Sequence, residues 1–169
     1  MTTWVAAWLR RGIVSTPLRP PGARPEPEFL ALCIRCDRCV EICPYRSLAP
    51  GDLAPLVGAG APHIEARAQP CYLCMLCPKA CPTGALEPLA DARRVRIGRA
   101  VVDPATCYAF QAILCRTCVD ECPYQGDAIR QDEELRPRVL DACVGCGICE
   151  HRCPAPEPAI RVVAHGNER

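Results

Sequence analysis

Sixteen cysteines dominate this 169-residue chain, and they fall into four groups of four. The first, second and fourth groups share the spacing C-x2-C-x2-C-x3-C, and the third widens its first gap to seven residues. A proline directly follows every group, and no cysteine is left over. The four groups, called motifs one to four, are Cys33, Cys36, Cys39 and Cys43; Cys71, Cys74, Cys77 and Cys81; Cys107, Cys115, Cys118 and Cys122; and Cys143, Cys146, Cys149 and Cys153.

This spacing is typical of the cysteine runs that hold 4Fe–4S clusters in bacterial ferredoxins. Three closely spaced cysteines wrap around one cluster, and the fourth ligates a neighbouring cluster because the chain is already leaving the first. The proline after the fourth cysteine fixes φ and ends any helix there. We therefore predict that all sixteen cysteines are iron ligands of four 4Fe–4S clusters, and that Cys43 reaches a cluster other than that of its own motif.

Two other uses of cysteine fit this pattern less well. A disulfide scaffold also needs an even number of cysteines, but it would not repeat one spacing three times with a proline after each group. Zinc sites commonly use two C-x2-C pairs separated by a dozen or more residues. Four cysteines within the eleven residues 33–43 are too compact for that arrangement.

Composition and charge narrow the function further. Aromatic residues make up only 5% of the chain, so the clusters must supply much of the interior and the apo chain should be largely unfolded. The formal charge is +1, but an oxidised cluster with four thiolates carries about −2, so four clusters give about −7. A negative protein favours redox partners with basic patches over nucleic acid. Gly58 and Gly60 lack the strand and helix of a dinucleotide-binding loop, so no flavin or nicotinamide enzyme is predicted. No small-molecule substrate is expected either.

The chain divides into five segments. Residues 1–16 form a short amphipathic N-terminal segment, and residues 17–27 hold five prolines that predict an extended spacer. Residues 28–92 form a first ferredoxin-like unit with motifs one and two. Residues 93–165 form a second unit with motifs three and four, and residues 166–169 are a tail.

Short strands and turns connect the motifs. Residues 128–130 are expected to pair with 137–140, residues 159–165 to form a final strand, and residues 95–102 to form a hairpin around Gly98. The stretches from Cys36 to Cys43 and from Cys146 to Cys153 should each begin as a loop and end in a short helical turn. The predicted fold class is α+β: tandem bacterial ferredoxin-like units with short strands and helical turns organised around four 4Fe–4S clusters.

Two connecting stretches have a distinct composition. The Gly-, Pro- and Ala-rich residues 50–62 predict a loop. The apolar insertion 108–114 in motif three has two interpretations. It shields a cluster from water and changes its potential, or it is a turn of helix that packs into the core.

Several segments resemble the NapG/MauM group of ferredoxin-type proteins. They are LRPPGA at 18–23, CIRCDRCVEICPY at 33–45, CPTGAL at 81–86, PAIRV at 158–162 and the widened third motif. The resemblance covers residues 18–165. It implies a protein that passes electrons from a membrane quinol-oxidising partner towards a terminal oxidoreductase or a maturing enzyme.

We therefore expect a non-catalytic electron carrier between a quinol- or ferredoxin-linked donor and a partner oxidoreductase. Two alternatives stay open: a maturation or assembly factor for a redox enzyme, and the iron–sulfur subunit of a molybdenum-type oxidoreductase. The pairing of the motifs also stays open. In one arrangement motif one pairs with two and three with four, which the short connector 123–142 favours. In the nested arrangement motif one pairs with four and two with three.

The N-terminal residues bear on location. The apolar stretch comes before Arg10 and Arg11 rather than after them, and residues 12–23 contain no hydrophobic core of a signal. We expect a cytoplasmic protein, with residues 1–16 as a peripheral attachment to a membrane partner. The alternative is a periplasmic protein whose true N-terminus carries a twin-arginine signal.

Overall fold

The computed structural model describes residues 16–51 and 58–165. The tail 166–169, and the N-terminal segment apart from Thr16, lie outside the described residues. The helices are α1 (Glu26–Leu32), α2 (Arg38–Glu41), α3 (Leu76–Ala80), α4 (Thr117–Asp120) and α5 (Ile148–Arg152), with 3-10 turns at Ala92–Arg94 and Tyr108–Gln111. The strands are β1 (Gly98–Val102), β2 (Ile129–Gln131), β3 (Pro137–Val139) and β4 (Ile160–Ala164). Short helices and strands are mixed, as the α+β prediction requires.

Each cysteine motif enters as a loop and ends in a short helix. The helices α2, α3, α4 and α5 have only four or five residues each. Each stops before the proline that follows its motif, because proline removes a donor and clashes with the preceding turn. The predicted loop followed by a helical turn is present in motifs one and four.

The strands β2 and β3 form a local antiparallel hairpin, with Ile129 opposite Val139 and Gln131 opposite Pro137. The carboxylate of Asp132 closes the turn by accepting hydrogen bonds from the N–H of Arg136 at 2.8 Å and of Glu134 at 3.1 Å. The predicted pairing of 128–130 with 137–140 is confirmed.

The strand β1 pairs with β4, which lies far away in sequence. The antiparallel register runs from Gly98 opposite Ala164 to Val102 opposite Ile160. The predicted final strand is therefore present, but the predicted hairpin around Gly98 is wrong. The residues before Gly98 turn into the core instead: Val95 is fully buried, and the N–H of Ile97 donates to the Val144 carbonyl at 3.1 Å.

The proline-rich stretch 17–27 differs from the predicted spacer. Pro20 and Pro21 are fully buried, and Leu18 and Ala23 form bridges to Ile64 and Leu86. Prolines supply stiff apolar surface as readily as they extend a linker, and here that surface is buried. Its last residues already belong to α1, which begins at Glu26 with proline and acidic residues in its first turn.

A buried arginine fastens this stretch to the body. The Arg19 guanidinium donates to the Glu26 carboxylate at 2.6 and 2.9 Å and to the Pro62 carbonyl at 2.9 Å. It also lies over the Phe29 ring, 4.8 Å from its centroid. The described residues of the predicted loop 50–62 contain no helix or strand, and residues 52–57 lie outside the described part.

The interior consists of three groups of buried residues that include many cysteines. The first core contains Phe29, Ile64, Leu86, Val95, Val144, Ile148 and the cysteines Cys71, Cys77 and Cys146. The second core is formed by Ala100, Val119, Ile129 and Ile160, and the third by Cys107, Ala155 and Ala159. The first core therefore combines residues of both predicted units. Within the described ranges, no helix has the length and apolar character needed to cross a membrane.

Candidate metal centres

The cysteines gather in four sets, and each set draws its fourth member from a different motif. We number these sets by the motif that supplies three cysteines. Three of them line cavities: the first site is Cys33, Cys36, Cys39 and Cys81, the third site is Cys107, Cys115, Cys118 and Cys153, and the fourth site is Cys143, Cys146, Cys149 and Cys122. Their empty volumes, including space open to solvent, are similar at about 360, 370 and 400 Å³.

The second site consists of Cys71, Cys74, Cys77 and Cys43. Ser47 ties the chain after Cys43 to the chain before Cys71, because its hydroxyl donates to the Pro70 carbonyl at 2.6 Å. Its N–H also donates to Cys43 Sγ at 3.4 Å. Cys43 is close enough to Cys71 and Cys77 for their thiolates to interact electrostatically. The fourth cysteine of motif one therefore lies with the first three cysteines of motif two.

The backbone of each regular motif has two left-handed residues, one on each side of the second cysteine. They are Arg35 and Asp37 in motif one, Leu73 and Met75 in motif two, and Gly145 and Gly147 in motif four, with φ between 55° and 87°. Alternation of left- and right-handed residues turns successive N–H groups into a concavity that binds anions, including Fe–S clusters. The repeated geometry fits a cluster with its thiolates, which carries net negative charge.

The left-handed residues are a functional feature that the sequence predictions did not include. Each non-glycine residue in this region costs roughly 1–2 kcal/mol, so four such residues in motifs one and two indicate a constrained backbone. Glycines at both positions of motif four were the available signal, since glycine adopts positive φ without a Cβ penalty. Motifs one and two give little such signal, because arginine, leucine and methionine do not mark positive φ, and Asp37 is the one residue of a type that tolerates it.

Motif three has a different backbone. Arg116, which precedes α4, has φ of −138°, whereas the residues that precede the helices of the other motifs are left-handed. Its insertion is divided in two. Tyr108 and Phe110, at the 3-10 turn, pack against the third core, as the core-packing interpretation predicts. Ile113 and Leu114 are 51% and 79% exposed, so the rest of the insertion faces outwards.

Burial raises the pKa of several cysteine thiols. It raises the pKa of Cys39 and Cys146 to about 11 and that of Cys71 and Cys118 to about 12, and neighbouring cysteines add to the rise. Buried thiolates that repel one another need a cationic partner, and iron binding would release their protons. Cys81 is the exception: burial raises its pKa, but N–H groups of the following loop and a threonine hydroxyl lower it overall.

Backbone N–H groups also donate hydrogen bonds to some of the cysteine sulfurs. The N–H of Leu73 donates to Cys71 Sγ and that of Ala159 to Cys153 Sγ, both at 3.4 Å. Such bonds tune the reduction potential of a cluster held by these sulfurs. In the described part of the chain, no three His, Cys, Asp or Glu side chains are grouped as one metal ion would need. The cysteines of the first, third and fourth sites line cavities in sets of four, and soft thiolate ligands suit an iron–sulfur cluster.

Comparison with known sequences agrees with this geometry. Two family models, both described as a 4Fe-4S dicluster domain, match the chain, one at residues 32–85 and 70–126 and the other at residues 99–154. The chain is therefore a 4Fe–4S protein of the dicluster class, and these domains have room for up to four clusters. The overlapping matches join motif two to motif one and also to motif three, so they leave the pairing of the motifs open.

Proteins that match most of the chain in sequence define the kind of 4Fe–4S protein more closely. The chain is 43% identical over 161 residues to the methylamine utilization ferredoxin-type protein MauM of Methylobacillus flagellatus, covering 88% of this chain and 69% of that protein. It is 42% identical over 164 residues to the ferredoxin-type protein NapG of Escherichia coli, covering 86% and 70%. Identity to the ferredoxin-type protein NapF of Escherichia coli is 30% over 155 residues, covering 86% and 89%.

The chain belongs to the family of ferredoxin-type proteins that includes MauM and NapG. The resemblance predicted from the sequence is thereby confirmed. The protein is an iron–sulfur electron-transfer protein and not an enzyme.

Proposed function

We propose that this protein carries electrons through four 4Fe–4S clusters between a quinol- or ferredoxin-linked donor and a partner oxidoreductase. Each cluster is held by three cysteines of one motif and the fourth cysteine of its partner motif. The observation that carries the proposal is the division of all sixteen cysteines into four sets of four, with the fourth members exchanged between motifs.

The exchange of fourth cysteines supports adjacent pairing. Cys43 lies in the second site and Cys81 in the first, so motifs one and two exchange ligands. Cys122 lies in the fourth site and Cys153 in the third, so motifs three and four do the same. This arrangement favours two tandem ferredoxin-like units over the nested alternative.

Two cysteines offer an edge for electron exchange with partners. Cys36 in the first site and Cys74 in the second are the only exposed cysteines of the sixteen. Both lie between left-handed residues, at the outer rim of their motifs. Electron transfer weakens steeply with distance, so a partner protein that exchanges electrons with the first half would dock over these rims.

The test is iron and acid-labile sulfide per chain on protein purified without oxygen, with EPR after dithionite reduction. We expect roughly sixteen iron and sixteen sulfide per chain and interacting reduced-cluster signals. About twelve iron or fewer in fully folded protein would contradict the four-cluster carrier. Clusters that dithionite and stronger reductants leave oxidised would favour a structural role in an assembly factor instead. The cytoplasmic location and the identity of donor and acceptor stay predictions.

A further inference from the structure

The two halves of the protein meet at a pair of cysteines. The N–H of Cys71 donates to the carbonyl of Cys146 at 2.8 Å. Cys71 belongs to the second site and Cys146 to the fourth. The backbone hydrogen bond that joins the halves therefore links residues of these two sites directly.

The packing around this bond places the fourth site at the boundary between the first and second cores. Cys146 is buried in the first core together with Cys71 and Cys77, between the buried residues Val144 and Ile148. The other three cysteines of the fourth site, Cys122, Cys143 and Cys149, pack against the second core. Cys118 and Cys153 of the third site pack against the same core, and Cys107 belongs to the third core. The fourth site is thus between the second site and the third.

Close contacts hold the junction together. Gly147 lies against Ala66 and Pro70, and a Cβ at this glycine would lie 2.5 Å from Ala66 Cβ. Arg67 extends across the junction and donates to the carbonyls of Glu150, His151 and Cys153 at 3.0–3.2 Å. These carbonyls belong to the end of α5, and His151 Nδ1 returns a contact to the Arg67 carbonyl oxygen at 2.9 Å. The segment 66–71 is therefore fixed against the fourth motif.

The other two connections lie within the motif pairs. Helix α2 packs on α3, and α4 packs on α5. The exchanged cysteines Cys43 and Cys81 bridge the first and second sites, and Cys122 and Cys153 bridge the third and fourth. Each motif pair thus brings its two sites together, and the pairs meet through the second and fourth sites.

We infer that the four clusters form a path in the order first, second, fourth, third, with the crossing between halves at Cys71 and Cys146. This inference rests on the proposed function. The fourth site is an internal relay, although its motif comes last in the sequence. The first and third sites are the two ends of the path, and the third, bordered by the exposed Leu114, is the end in the second half.

Removing one cluster at a time tests the order. One double variant, Cys143→Ala with Cys149→Ala, removes the fourth cluster. Its matched control, Cys115→Ala with Cys118→Ala, removes the third. Each should lose about four of sixteen iron, which shows that a single cluster is gone. The readout is spin–spin broadening in the EPR spectrum of the fully reduced protein, because neighbouring paramagnetic clusters broaden each other's signals.

The inferred order and the order of the motifs along the chain give opposite spectra. In the inferred order, loss of the fourth cluster leaves the third with a narrow, isolated signal, whereas loss of the third leaves three interacting clusters. An isolated signal after loss of the third cluster, with full interaction after loss of the fourth, would establish the motif order and overturn the inference. The iron content of the unmodified protein tests the proposed function separately.

A second pair of variants keeps every cysteine. Arg67→Ala removes the side chain that donates across the junction to the carbonyls at the end of α5, and Arg161→Ala is the control. Both arginines are exposed, but Arg161 donates within the second half, to the Glu157 carboxylate and the Pro158 carbonyl. Arg67→Ala should therefore weaken the interaction between the halves, with the iron content retained and both motif pairs still broadened. A spectrum of Arg67→Ala identical to that of Arg161→Ala would contradict a crossing held by this junction.

Discussion

Replacement of Cys43 tests the exchange of ligands between motifs. In the structure Cys43 lies beside Cys71 and Cys77, not with the first three cysteines of its own motif. Cys43→Ala alone should damage the second cluster and remove between one and four of about sixteen iron. A single variant cannot show which cluster was damaged, so the decisive comparison uses two double variants.

The double variants differ only in the partner of Cys43. Cys43→Ala with Cys74→Ala removes two ligands from one site, so about twelve iron should remain. Cys43→Ala with Cys36→Ala removes one ligand from each of two sites, so two clusters are damaged and about eight to fourteen iron should remain. Local ligation of Cys43 predicts the reverse: two damaged clusters for the pair Cys43 and Cys74, and one for the pair Cys43 and Cys36. Iron and sulfide analysis, with EPR of the remaining clusters, measures the difference.

The reciprocal ligand supplies the control. Cys81 lies in the first site, so Cys81→Ala with Cys36→Ala should retain about twelve iron, as the pair at the second site does. Circular dichroism of each variant shows whether the rest of the fold is retained. If the pair Cys43 and Cys36 damaged one cluster and the pair Cys43 and Cys74 damaged two, the exchange of ligands would be wrong.

Four further outcomes are expected. Oxidative removal of the clusters should abolish helix and strand signals in circular dichroism, because metal binding is coupled to folding; a retained cooperative melting transition would contradict this. Phe29→Ala should lower the free energy of unfolding by about 3–5 kcal/mol because Phe29 is fully buried, with a smaller loss for Phe29→Leu in the same denaturation assay. Leu114→Ala should change it by about 0.5 kcal/mol or less because Leu114 is exposed, and a larger loss would show that the residue packs in solution. An N-terminal fusion to a reporter active only after export should be inactive, and activity would refute the predicted cytoplasmic location.

The chemistry of the sites was predictable because cysteine spacing encodes it directly. A C-x2-C-x2-C-x3-C run admits few ligands other than a cluster, and the following proline marks the end of each helix. The hairpin of β2 and β3 was predictable for a similar reason. Its partners are close in sequence, and the turn contains Asp132, whose carboxylate accepts the turn's N–H groups. Both patterns are local, so neighbouring residues define them.

Features that depend on distant partners were not predictable. The apolar residues on both sides of Gly98 resemble a hairpin, but β1 finds its partner in β4, and only tertiary packing determines that choice. The prolines of 17–27 report a stiff chain, not whether its surface becomes buried. The exchange of fourth cysteines was expected in general, but the identity of the partner motif required the positions of Ser47 and Pro70.

The long separation of β1 from β4 has a consequence for biosynthesis. The first site has all four cysteines once Cys81 leaves the ribosome, and Ala23 finds its bridge partner soon afterwards at Leu86. The third site waits for Cys153, and β1 waits for residues 160–164. Until then the nascent second half presents thiols without a complete binding site. Loading of its clusters therefore follows synthesis of the last strand, whereas the first half can be loaded while translation continues.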